Sequence, residues 1–137
     1  MKLTESMLRD FVDSPLTIEE IGDLLTMTGF ELESIDEVDG EKVLDVNIMA
    51  NRGDGASVYG LAREVLAKSP ESAPTALYLR AVERFPARDQ GARDIWAKAT
   101  VLVESPNCTR YAARVFEGLT NGPAPGWLQN RLTKVGQ

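Results

Sequence analysis

The stretch NRGDGASVYGLAREV, residues 51–65, decides how this chain is read, because it joins a strand to a helix. Ahead of it, Leu44, Val46 and Ile48 alternate with Asp45 and Asn47, the period-two pattern of a strand with one buried face. Across it, Val58, Leu61, Ala62, Val65 and Leu66 recur at helical spacing, which predicts a helix over residues 55–68 with one apolar stripe. Asp54 is the expected N-cap of that helix, and Asn51, a residue that tolerates turn geometry, is expected to end the strand. Arg52 and Arg63 are expected to pair with Asp54 or Glu64 at the joint. Gly60 inside the helix costs about 1 kcal/mol relative to Ala, so its presence points to another backbone passing close by.

A strand running through glycines into a helix N-terminus is also where proteins hold phosphate, since free N–H groups and the helix dipole favour anions. The spacing of GDGASVYG, residues 53–60, matches neither G-x-G-x-x-G nor G-x-x-x-x-G-K-[ST], and Asp54 puts a carboxylate where an anion would sit. Arg52-Gly53-Asp54 spells the adhesion tripeptide RGD, a match of three residues with no extracellular signal beside it. The segment is therefore read as a capped joint whose residues serve the scaffold.

Outward from the joint, Thr4 is expected to cap a first helix over residues 5–12, stopped by Asp13-Ser14-Pro15. Thr17 and Glu20 form a T-x-x-E capping box for a second helix over 18–28, with Ile18, Ile21 and Leu25 on one face and Gly29 at its end. Phe30 and Leu32 alternate with Glu31 and Glu33, and the Asp39-Gly40 turn returns the chain into the second strand of a hairpin. Three helices and a hairpin can close around one small core. Residues 69–74, SPESAP, read as a linker, which divides the chain into a first domain (1–69), a linker with an irregular helix over 76–85 (70–94), and a last part (95–137). That last part is expected to hold strands over 95–104 and 111–117, paired across Ser105-Pro106-Asn107, and a helix over 126–135. The fold class expected is α+β.

The chain has 137 residues, 43% of them apolar, which is enough for one ordinary domain or two very small ones. No stretch approaches the ~20 apolar residues of a membrane span, and MKLTES lacks the pattern of a secretory leader. One cysteine, Cys108, and no histidine exclude an internal disulfide, an ordinary tetrahedral zinc site and His-based nucleophilic catalysis. A cytoplasmic setting follows as the expectation. Glu31/Glu33 and Asp36/Glu37 fall on a polar strand face and near a turn, where solvated charge accounts for them, and Cys108 beside Arg110 has no general base. No catalytic, cofactor or metal residue is therefore assigned. Residues 1–69 carry six basic and fifteen acidic side chains, a net of −9, while the remainder carries nine basic and six acidic, a net of +3. Contact with RNA, if made, is expected from the second half, at Arg110, Arg114 and Arg131.

Three blocks carry a resemblance. Residues 44–69, LDVNIMANRGDGASVYGLAREVLAKS, place Asn51, Arg52, Asp54, Ser57, Gly60, Leu61, Ala62, Arg63, Glu64 and Val65 in register with the pattern N-R-P-D-x-x-S-x-x-G-[IL]-A-R-E-[VL]-A. LTIEEIGDLLTMTGFELESIDEV, residues 16–38, and NCTRYAARVFEGLTNGPAPGWLQNRLTKVG, residues 107–136, match flanking blocks in the same order. Together these resemble the N-terminal region of phenylalanyl-tRNA synthetase β subunits. The departures are Gly53 and Thr109 where that family has proline, and Gly55-Ala56 where it usually has Cys-Leu.

The resemblance implies an α+β chain with a winged-helix-like B1-type domain of three helices and a hairpin, followed by the opening αβ portion of a B3/B4-type domain. It implies no inserted tRNA-binding OB domain, because only about three residues, Asp39, Gly40 and Glu41, join the two strands that flank that module in many bacterial members. The implied role is non-catalytic and architectural in phenylalanyl-tRNA aminoacylation, with ATP and Mg²⁺ bound elsewhere. The implied partners are the α subunit, the remainder of the β subunit and, weakly or indirectly, tRNA. Asn51, Arg52, Asp54, Ser57, Gly60, Arg63 and Glu64 are the motif residues expected to be structural. Two other readings stay open: a free-standing interaction or regulatory protein, homodimeric through an open sheet edge, and a nucleic-acid-binding winged-helix-like module, which the net −9 opposes.

Overall fold

The computed structural model describes residues 1–84, 102–109, 111 and 115–137. The chain forms two compact units, Met1–Phe85 with Ala124–Gln137, and Pro86–Pro123. In the larger unit the hairpin is present as β3 (Glu31–Val38) and β4 (Glu41–Asn47), turning at Asp39 and Gly40, both with positive φ as a two-residue turn of this hand requires. The hairpin does not stand alone. Lys2–Thr4 forms β1, which pairs antiparallel with β4 and sets Leu3 opposite Leu44, so the sheet has the order β1-β4-β3. Three residues that end on a helix cap, Thr4, carry little strand pattern, and it is pairing with β4 that makes them a strand.

The register of β3 slips between Leu32 and Ser34. In a straight strand, Leu32 and Ile35 would face opposite sides; the bulge lets both pack on the same core. Helix α1 (Glu5–Arg9) starts where expected, with the Thr4 hydroxyl accepting from the Met7 N–H, but it ends short of Val12. Val12–Asp13 instead forms β2, paired with Ala73–Pro74 (β5).

That pairing corrects the reading of residues 69–74 as a linker. Ser69 is buried, its hydroxyl lies 2.6 Å from that of Ser72, and Ser72 donates to the Ser14 hydroxyl at 2.7 Å. Thr75 donates its N–H to the Phe11 carbonyl and its hydroxyl to the Asp10 carbonyl, while accepting from the Tyr78 N–H to cap α4 (Ala76–Arg84). Ser72 and Thr75, in a stretch that reads as flexible in isolation, here find hydrogen-bond partners 58 and 65 residues away. The Tyr59 and Tyr78 rings stack at 4.7 Å and Phe11 meets Tyr59 edge-on, which fastens α4 to the body.

Helix α2 (Ile18–Met27) has the full capping box, with Glu20 reaching back to the Thr17 N–H at 2.8 Å. It closes with the N–H of Phe30 bonded to the Leu25 carbonyl and that of Gly29 to Thr26, a geometry that needs the positive φ of Gly29. Helix α3 runs over Val58–Lys68. Leu3, Leu8, Val12, Ile21, Leu25, Phe30, Leu44, Val46, Leu61 and Val65 are fully buried and form one core. Emptying any one large position of such a core to Ala costs about 2–5 kcal/mol.

The last helix, α5 (Gly126–Lys134), belongs with the larger unit. Of the smaller unit, the turn at Pro106-Asn107 is present, with the Cys108 N–H on the Ser105 carbonyl. The two strands expected around it are not seen among the described residues: 102–104, 111 and 115–117 have no regular structure, and the rest of both spans lies outside the described residues. Among the described residues, the secondary structure is that of a small α+β protein with two antiparallel sheets.

Candidate functional site

The joint of residues 51–65 centres on Arg52. Its Nε and Nη2 hold the two carboxylate oxygens of Asp54 at 3.0 and 3.1 Å, the fork-to-fork geometry in which guanidinium and carboxylate match best. Nη2 also reaches Glu64 Oε1 at 2.8 Å, and Nη1 donates to the Thr28 carbonyl at 3.0 Å. The guanidinium carbon lies 4.2 Å from the centroid of the Phe30 ring. One side chain thus ties the C-terminal end of α2, where a cation is favoured by the exposed carbonyls, to the first turns of α3. Arg63 Nη2 adds a third cation contact, 3.1 Å from Asp54 Oδ2.

Two glycines let these parts approach. A Cβ on Gly55 would fall 2.1 Å from the Phe30 ring, and one on Gly60 would fall 2.0 Å from the Asp54 carbonyl oxygen. Gly60 therefore marks the close backbone approach that its place in the helix suggested.

The expected cap does not hold. Residues 53–55 form a short 3-10 turn, and Ser57 caps α3, accepting from the Gly60 N–H at 3.0 Å. Asp54 is drawn off by the two guanidiniums, whose charge outbids a helix N–H for its oxygens. Asn51 does not end the strand either. Strand β4 stops at Asn47, and Asn51 sits exposed in the turn that follows, where the Arg52 N–H bonds to the Met49 carbonyl. Sequence reasoning missed Phe30 and the Thr28 carbonyl as partners of Arg52, which no local pattern reveals. It missed Ser57 although a cap residue immediately before the first apolar position, Val58, was there to be read.

The electrostatics are closed. The hydrogen bond from Arg52 holds the Asp54 carboxyl below its usual range, and the same bond raises Arg52 further above its own. Both stay charged across the physiological range, and within the joint Arg52 and Arg63 are matched by the carboxylates of Asp54 and Glu64. Of the three arginines expected near RNA, Arg131 pairs with Asp10 at 2.5 Å, and Arg110 and Arg114 lie outside the described residues. Among the described residues no group of three His, Cys, Asp or Glu stands close enough to hold a metal ion, and no helix is long and apolar enough to cross a membrane.

Comparison with known proteins gives one consistent result. Over 136 residues, 99% of its length, the chain is 32% identical to the phenylalanine--tRNA ligase beta subunit of Rhodopirellula baltica. The chain is similar to the beta subunit of phenylalanine--tRNA ligase. The same beta subunit from Mesorhizobium japonicum is 35% identical over 97 residues, and that from Geobacter sulfurreducens 37% over 97. The chain spans 19% of the length of the Rhodopirellula beta subunit and 11% of each of the other two. No family model and no solved structure matches it.

Proposed function

We propose that this chain is an N-terminal portion, or a truncated homologue, of a phenylalanine--tRNA ligase beta subunit, and that its part in phenylalanyl-tRNA synthesis is architectural. The observation that carries the architectural role is the Arg52 joint. Arg52, Asp54, Ser57, Arg63 and Glu64 all spend their side chains on partners within the chain, and Gly55 and Gly60 serve packing. A motif used up in this way positions a module rather than touching a substrate. On this reading, residues 1–69, which hold the joint, correspond to the B1-type domain, and residues 95–137 to the opening of a B3/B4-type domain. ATP, Mg²⁺ and the aminoacylation chemistry belong to other parts of the assembled ligase, and the partners are its alpha subunit and the remainder of the beta subunit.

The test is assembly. Co-expressed with the alpha subunit and a beta subunit lacking the corresponding region, the tagged chain is expected to co-purify with both and to leave aminoacylation dependent on them. A chain that elutes alone from that mixture overturns the proposal.

A further inference from the structure

Helix α5 is held on the larger unit in an unusual way. None of its residues is buried. Its half-buried face is Leu128, Arg131, Lys134 and Val135, while Trp127, Gln129, Asn130 and Thr133 are exposed. Two charge contacts fix its place. Arg131 Nη2 lies 2.5 Å from Asp10 Oδ2, and Lys134 Nζ lies 2.6 Å from Glu41 Oε2. Arg131 and Lys134 are three apart and so stand together on one side of the helix.

The acceptors are placed without help from α5. Asp10 closes α1 and is held through its backbone by Ser6 and by the Thr75 hydroxyl. Glu41 begins β4, and its other oxygen accepts the Ser6 N–H at 3.0 Å. Glu5, Glu37 and Asp39 line the groove beside Glu41, within a stretch of net charge −9, and Arg9 and Lys42 offset only part of that charge. Acidic groups on a fixed backbone, facing a basic pair on a helix that buries no residue, make a contact dominated by charge.

We infer that Asp10 and Glu41 form a seat for a basic helix with an Arg-x-x-Lys pair, filled here by α5 and emptied by salt. Partly exposed ion pairs are screened as ionic strength rises, whereas apolar packing is not. In the full chain, amide hydrogen exchange of residues 128–136 is expected to speed up about tenfold between 20 and 500 mM NaCl, with α2 as the unchanged internal reference. The double variant R131Q/K134Q, which leaves the core intact, is expected to show that faster exchange already at low salt. Its vacated seat is then expected to bind an added peptide of residues 124–137 at millimolar concentration, shifting the amide resonances of Asp10 and Glu41, and to lose the peptide at 500 mM NaCl. Exchange in α5 that ignores both salt and the double variant would show that Leu128 and Val135 hold the helix, and would overturn the inference. So would a variant that frees α5 and takes up no peptide.

Discussion

Replacing Gly60 by Ala sets two physical effects against each other. Helix propensity alone predicts a gain of about 1 kcal/mol, because Gly60 lies in the first turn of α3 and Ala is the better helix former. The tertiary structure predicts the reverse. The new Cβ would lie 2.0 Å from the Asp54 carbonyl oxygen, 3.0 Å from its carbon and 3.1 Å from the Gly55 Cα, where ordinary contact begins at 3.4 Å. Backbone that must retreat by about 1.4 Å cannot rotate out of the way as a side-chain tip can. Overpacking of this kind costs about 1–3 kcal/mol, and a backbone clash belongs near the top of that range. Subtracting the propensity gain leaves Gly60→Ala destabilised by about 2 kcal/mol, or a melting point lower by about 10 °C for a unit of this size. The assay is urea unfolding followed by far-ultraviolet circular dichroism, comparing midpoints at constant slope. Gly53→Ala is the control, since nothing lies within 4 Å of its added Cβ, and it is expected within about 0.5 kcal/mol of the parent. A Gly60→Ala protein as stable as the parent would refute the account of the joint.

Gly55→Ala drives a Cβ to 2.1 Å from the Phe30 ring and so displaces the ring on which Arg52 rests; a loss of about 1–3 kcal/mol is expected in the same urea assay. Ser57→Ala removes the true cap of α3 and is expected to cost about 1 kcal/mol, and a neutral result would return the capping role to Asp54. Burial pushes the Glu41 carboxyl up, but hydrogen bonds from Lys134, Ser6 and Thr4 outweigh it and bring its pKa from 4.5 to about 2. A carboxyl whose folded pKa is depressed contributes stability that is complete above about pH 4.5 and disappears as the pH falls toward 2. The contribution is on the order of 1 kcal/mol after solvent screening, so the urea midpoint of Glu41→Gln should fall less steeply over that interval than that of the parent.

Much of the architecture was legible because it rests on local rules. The capping box at Thr17 and Glu20, the left-handed Gly29, the Asp39-Gly40 turn and the stripe of Val58, Leu61, Ala62 and Val65 each bind residues within a few positions of one another. What escaped was long-range. Strand β1 exists only because β4 accepts it, and β2 exists only because Ala73–Pro74 returns to it. The serines of residues 69–74 look like linker residues until Ser14 supplies a partner 58 residues away. The bulge that turns both Leu32 and Ile35 inward breaks the very alternation by which strands are recognised.

The same division runs through the joint itself. By its sequence alone, NRGDGASVYGLAREV determined that a strand leads into a helix here, that its arginines and carboxylates would pair, and that Gly60 faces another backbone. These follow from spacing and charge, which the chain carries with it into any fold. Only the tertiary structure decided that Asp54 leaves the cap to Ser57, and that Arg52 bridges from the Thr28 carbonyl and the Phe30 ring to Glu64. The reason is competition. A carboxylate offered both a neutral helix N–H and two guanidiniums takes the charged partners, and which partners are within reach is settled only when α2, the sheet and α3 have packed.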